Sequence, residues 1–115
     1  MESEFEYLDM VVIHQLKDLL GHRFDFLLDT YLSDCEQRME RLLAAMAAQD
    51  YVTVAEQSHG IKGSNLNLGC SALVDICRDI EESAREGDLA HMEQKISSLQ
   101  QVFAATCREI RAIRR

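Results

Sequence analysis

Within the 115 residues of this chain, the segment His59-Gly60-Ile61-Lys62-Gly63-Ser64 brings a histidine, a lysine and bare backbone together inside an otherwise helical stretch. Residues three and four apart are neighbours on a helix surface, so Lys62 stands beside His59, while Gly63, directly above the histidine, leaves a gap. Neutral imidazole, with an unperturbed pKa near about 6.5, offers a ring nitrogen that can attack phosphorus around neutral pH. Transfer of a phosphoryl group depends mostly on positioning and on offsetting the charge of its outer oxygens, part of which the Lys62 ammonium can supply. Glycine inside a helix costs about 1 kcal/mol relative to alanine, and Gly60 and Gly63 both carry that cost. At Gly63 a side chain would obstruct a phosphoryl group or an approaching partner. Gly60 points elsewhere and is expected to let a neighbouring helix approach closely.

The direction of His59 follows from about 100° of rotation per residue. With Val54 at zero, Ser58, Ile61, Asn65 and Leu68 fall within about 40° and form the side facing a core. His59 lies about 140° away, in solvent, with Lys62 at about 80° and Gly63 at about 180° bracketing it. Val52, Ala55 and Leu66 share its side, and Glu56 also lies opposite the apolar stripe. Apolar side chains on a wet face around a polar site indicate a docking surface. Ser64, near the buried edge, reads as a packing residue.

Such a face needs a rigid support. The chain has no proline and few aromatics, and is rich in Ala, Leu, Glu, Gln, Arg and Met, which favours helix. Asp9 caps a first short helix that ends at Gly21, and a long second helix runs from about His22 to Gln49. Its residues Phe24, Leu27, Leu28, Tyr31, Leu32, Cys35, Met39, Leu42, Leu43 and Met46 recur at core-facing spacing. Asp50 caps the third helix, which carries the motif and stops at Gly69. Ser71 is expected to cap a fourth, with Leu73, Cys77, Ile80 and Ala84 inward and Gly87 at its end. Asp88 is expected to cap a fifth, with Leu89, Met92, Ile96, Leu99, Phe103 and Ile110 inward. Short connections make neighbouring helices antiparallel. The fold class is therefore all-α, an up-down four-helix bundle with a short N-terminal helix packed across one end. Residues 1–115 read as a single domain, with about 1–8 as an N-terminal tail. The acidic residues of the long helices read as solvated faces, and Met10, Met39, Met46 and Met92 as core filling.

Twelve Lys plus Arg stand against 20 Asp plus Glu, a net charge of −8. An acidic balance repels phosphate backbones and anionic lipid surfaces, so neither nucleic acid nor membrane is an expected partner. No apolar run is long enough to span a bilayer, and the first nine residues carry three glutamates where a signal peptide would need positive charge. A cytoplasmic location is expected. Cys35, Cys70, Cys77 and Cys107 form no C-x-x-C pair and fall among apolar residues, as reduced core thiols do.

The run His59-x-Ile61-Lys62-Gly63-Ser64, followed by Leu68-Gly69, resembles the H-x-L-K-G-S signature of histidine-containing phosphotransfer (HPt) domains. The similarity continues through Leu73, Ile76-Cys77, Ile80-Glu81, Ala84-Arg85 and Gly87-Asp88. Isoleucine stands at 61 in place of the usual leucine, Gly60 is unusual, and Asn65 takes a place more often small. The resemblance implies a helical bundle whose histidine accepts a phosphoryl group from an aspartate on one receiver domain and passes it to an aspartate on another. By that match His59 is the phosphoacceptor, Lys62 the phosphate-side cation and Gly63 the clearance residue. The implied partners are receiver domains of hybrid sensor kinases and response regulators. A single-histidine relay needs no dimer, so a monomer is expected. No nucleotide-binding loop, cofactor or metal site is expected, and any Mg²⁺ would belong to the receiver.

Two other readings use the same residues. The face could dock a kinase or receiver without relaying phosphate. More remotely, Glu56-x-x-His59 and Asp88-x-x-His91 are partial copies of the Glu-x-x-His pairs of di-metal bundles, although the orientation of His59 opposes that.

Overall fold

Apolar residues repeating at three and four along four long helices leave water together only by facing one another. The computed structural model, which describes residues 5–114, shows this arrangement. Its elements are α1 (Met10–Leu20), a 3-10 turn (Gly21–Arg23), α2 (Phe24–Ala47), α3 (Tyr51–Leu68), α4 (Ser71–Glu86) and α5 (Met92–Ile113), with no strand among the described residues. No helix among them is long and apolar enough to cross a membrane. Connections of two to five residues join antiparallel neighbours, and α3 lies between α2 and α4. Leu28, Leu42, Val54, Ile61, Leu73, Ile80, Leu99 and Ile110 are fully excluded from solvent. Each such side chain contributes about 1.5–3 kcal/mol of burial.

The cap signals explain most boundaries. Asp9 Oδ1 accepts from the backbone N–H of Val11 at 3.0 Å, and Asp50 Oδ1 from that of Thr53 at 3.2 Å. Gly69 ends α3 in the left-handed conformation at φ 71°, and its missing Cβ is needed twice over. A Cβ there would sit 3.0 Å from Val12 Cγ2 and 3.2 Å from Asp9 Cβ, so the glycine also lets α1 close over this end. That end gathers the start of α2, the α3–α4 turn and the end of α5.

Several boundary expectations are corrected. Cys70, not Ser71, is the N-cap residue of α4, without a side-chain hydrogen bond, and Ser71 already belongs to the helix. Asp88 does not cap α5: its Oδ1 accepts from Ala90 N–H at 3.4 Å in a local turn, and α5 starts at Met92 after His91 in the left-handed conformation. Leu89, held in that turn, is exposed rather than inward. Residues 5–8 of the expected tail are tied to the bundle, since Glu109 accepts from the backbone N–H groups of Glu6, Tyr7 and Leu8, and Leu8 is buried. Residues 1–4 lie outside the described residues. The four cysteines are free and buried. Burial pushes the thiols of Cys35, Cys70 and Cys77 up to about 12 and that of Cys107 to about 11, so they act as small apolar groups.

Asn65, on the core side of α3, is fully buried with both ends satisfied. Its Oδ1 accepts from the Tyr31 hydroxyl at 2.7 Å, and its Nδ2 donates to the Ile61 carbonyl at 2.8 Å. The phenol, removed from water, has its pKa raised well above the ordinary value. Asn65→Ala strands a buried hydroxyl and should cost about 1–3 kcal/mol in urea unfolding. Tyr31→Phe in that background should recover part of the loss, and no recovery would mean that the pair is not coupled.

Candidate functional site

His59 projects from the middle of α3 with 64% of its side chain exposed, on the outer face as its rotation from Val54 predicts. Lys62, one turn along, is a different case. Only 19% of its side chain is exposed, and its Nζ donates to Glu81 Oε1 of α4 at 2.7 Å. The lysine therefore lies along the α3–α4 seam and is committed to a carboxylate. Glu81 also accepts from Arg85, whose Nε and Nη2 stand 3.1 and 3.0 Å from Oε2. His59 Nδ1 completes the set at 3.0 Å from Oε2 and 3.3 Å from Oε1.

These contacts determine the state of both groups. Burial of Glu81 by itself raises its pKa, but hydrogen bonds from Lys62, Arg85 and His59 outweigh it and hold the carboxyl below its ordinary 4.5. An ionised carboxylate only accepts, so Nδ1 of His59 carries the proton. In the neutral ring the unprotonated nitrogen is then Nε2, which points away from Glu81 with its lone pair free. The imidazole is thus fixed in one tautomer and aimed outward.

Glu81 and Arg85 were not among the expected site residues, and Glu81 corrects the reading of acidic helix residues as solvated faces. It is buried, following Cys77 and Ile80 on the inward arc of α4. A carboxylate placed on an apolar arc needs a partner, and that was its available signal. Arg85 follows at the favourable i,i+4 spacing for such a pair.

The docking residues divide. Val52 and Leu66 are 70% and 57% exposed, and Glu56 is exposed beside them. Ala55, expected on the same surface, is buried at 2%. Close packing of α4 widens the buried arc of α3 beyond Val54, and alanine is small enough to sit under it. Gly63 opens to solvent, since a Cβ there would meet nothing within 4 Å. Gly60 instead faces α2, where the Arg38 guanidinium occupies the place of a side chain. Glu56, His59, Asp88 and His91 are all exposed, not directed into the bundle as di-metal ligands are.

In the neutral ring, then, the unprotonated Nε2 belongs to an exposed side chain beside the open space over Gly63. Residues 27–112 match the Hpt domain family. The phosphorelay intermediate protein rdeA of Dictyostelium discoideum is 34% identical over 67 residues, 58% of this chain and 26% of that protein. The chain thus spans about a quarter of the length of that curated relative. The crystal structure of histidine-containing phosphotransfer protein B (HptB) from Pseudomonas aeruginosa PAO1 superposes with a TM-score of 0.89, at 31% identity and over 94% of each chain. The matched region spans α3 and α4 entire, with His59, Lys62, Gly63, Glu81 and Arg85 inside it, and the chain belongs to the Hpt domain family.

Proposed function

We infer that this protein is a phosphorelay intermediate that accepts a phosphoryl group on His59 Nε2 from a receiver-domain aspartate and returns it to another. The observation that carries this reading is the hydrogen bond from Nδ1 to the Glu81 carboxylate, which leaves Nε2 as the free nucleophile on an exposed face. The Nε2 lone pair attacks the phosphorus of an aspartyl phosphate, and the N–P bond forms as the P–O bond to the aspartyl oxygen breaks. The electron pair of that bond leaves on the receiver's carboxylate. The Nδ1 proton stays in place, so the phosphorylated ring carries positive charge, which the Glu81 carboxylate offsets. Transfer to a second aspartate reverses the sequence.

Lys62 acts on this step in two ways: it helps to keep Glu81 ionised, and it keeps an ammonium on the carboxylate that the ring also contacts, where phosphoryl oxygens gather. Gly63 leaves the line of approach clear, and Val52, Glu56 and Leu66 surround it as contact surface for the receiver. The chain acts as a carrier, not an ATP-dependent kinase, and a divalent cation, where needed, sits on the receiver. A cytoplasmic, monomeric protein fits this role.

Incubation with a phosphorylated receiver domain should place an acid-labile, base-stable phosphoryl group on His59, and His59→Gln should abolish it. A label elsewhere would end the reading. Glu81→Ala removes the acceptor that fixes the tautomer and should slow transfer about tenfold to a hundredfold with the helices intact by circular dichroism. An unchanged rate would show that the ring orients without it.

Charge on Glu81 also sets a pH dependence. Because its folded pKa lies below the ordinary 4.5, its contribution to stability is complete above that value and is lost as pH falls through the lowered one. The advantage of wild type over Glu81→Gln in urea unfolding should therefore narrow between about pH 5 and pH 3. A widening gap would mean a raised carboxyl.

Gly63→Gln should retain or slightly raise stability, since a helix interior favours glutamine over glycine by roughly 0.5 kcal/mol. It should nevertheless cut transfer from a receiver at least about tenfold while leaving phosphorylation by a small phosphoramidate donor near wild type. Equal losses with both donors would make Gly63 part of the chemistry rather than of the clearance.

A further inference from the structure

Gly60 is the residue of the His59 segment that phosphoryl chemistry leaves without a task. It lies one position beyond His59, on the side of α3 turned toward α2. A Cβ built there would overlap Nη1, Cζ and Nε of Arg38, whose guanidinium takes the space that a side chain would fill. The group is held from both sides: Nε donates to Asp34 Oδ2 at 3.1 Å, and Nη1 donates to Gln57 Oε1 at 3.3 Å. About a third of the side chain, 32%, stays exposed, and Nη2 makes no hydrogen bond among the described residues.

Pinning α2 to α3 does not require this arrangement. The two helices already share the buried Tyr31–Asn65 bond and an apolar seam, and an arginine swung outward would leave both in place. A helix-interior glycine weakens α3 locally, and the structural return of the slot is the single part-exposed bond from Arg38 across to Gln57. What the slot does supply is a guanidinium of limited freedom beside the acceptor face. On the α4 side Arg85, 57% exposed, plays the matching part. Arg38 on the α2 side and Arg85 on the α4 side thus border the His59 face, each paired to one carboxylate, Asp34 and Glu81, with Glu56 exposed between them.

We propose that Arg38, seated in the slot left by Gly60, is a docking and specificity residue whose Nη2 edge engages a carboxylate on the anionic surface of the phosphorylated receiver. This rests on the relay reading: a donor presenting an aspartyl phosphate carries nearly two negative charges at the group to be transferred. A cation at the rim of such a contact acts on encounter and partner choice, not on the chemical step.

The test uses the full chain with a purified phosphorylated receiver. Arg38→Met keeps the stem and removes the charge; it should raise the apparent KM for the receiver about fivefold, leave kcat unchanged and flatten the salt dependence of transfer. Phosphorylation by phosphoramidate should stay at the wild-type rate, and Arg38→Lys should restore part of the KM. Gly60→Ala should reproduce the KM increase with a thermal midpoint equal to or above wild type, because the flexible arginine is displaced while α3 gains a better helix former. A wild-type KM and salt slope in Arg38→Met would overturn the proposal. So would a KM increase that tracks lost thermal stability, or an equal loss with phosphoramidate. Wild-type protein that accepts nothing from any phosphorylated receiver, while variants fold normally, would instead sink the relay reading beneath it.

Discussion

One carboxylate organises the functional half of this bundle. Glu81 keeps only 11% of its side chain in contact with solvent, and a charge so placed costs several kcal/mol unless it is matched. Lys62, Arg85 and His59 match it at 2.7, 3.0 and 3.0 Å. The same contacts that make the burial tolerable choose the imidazole tautomer, so the burial of Glu81 and the orientation of the ring are coupled at this position. Lys62 stands at the centre of that coupling, a largely buried cation committed to the carboxylate.

For the cluster to form, α3 must sit at one rotation and one height between its neighbours. A turn of one residue moves a helix face by about 100°, which would carry His59 away from α4. Two polar anchors resist that. Asn65 bonds Tyr31 of α2 in the buried interior, while Lys62 and His59 bond Glu81 of α4 at the surface. Buried polar pairs add little net energy but discriminate strongly against any register that leaves them unsatisfied. Gly69 supplies the longitudinal stop by ending α3 where α1 packs on it.

The bundle, the outward histidine and the helix ends at Gly21, Gly69 and Gly87 were readable in the chain because each depends on periodicity or on a single residue's conformational preference. Contacts between helices were harder to read. The apolar arc of α4 says that Glu81 needs a partner, but nothing local to it says that the partner is Lys62. Ala55 failed for a related reason: its angle on α3 is ambiguous, and the closeness of α4 decides it. Asp88 and Ser71 carry capping side chains at plausible positions, yet chain geometry placed the caps at His91 and Cys70. Position along the chain finds a boundary to within a few residues, whereas the cap itself depends on how the next helix must leave the turn.

The two glycines of α3 show how unlike the uses of a missing side chain can be. Each gives up about 1 kcal/mol of helix propensity, which folding alone would not favour. At Gly63 the space remains open to solvent, as the proposed approach of a receiver requires. At Gly60 the space is filled from within by Arg38, so the gap between α2 and α3 becomes a seat for a charge. The resulting surface is open over Gly63, apolar at Val52 and Leu66, and bordered by Arg38 and Arg85. Under the docking proposed for Arg38, a charge of restricted position at the rim is a feature by which related receivers can be told apart.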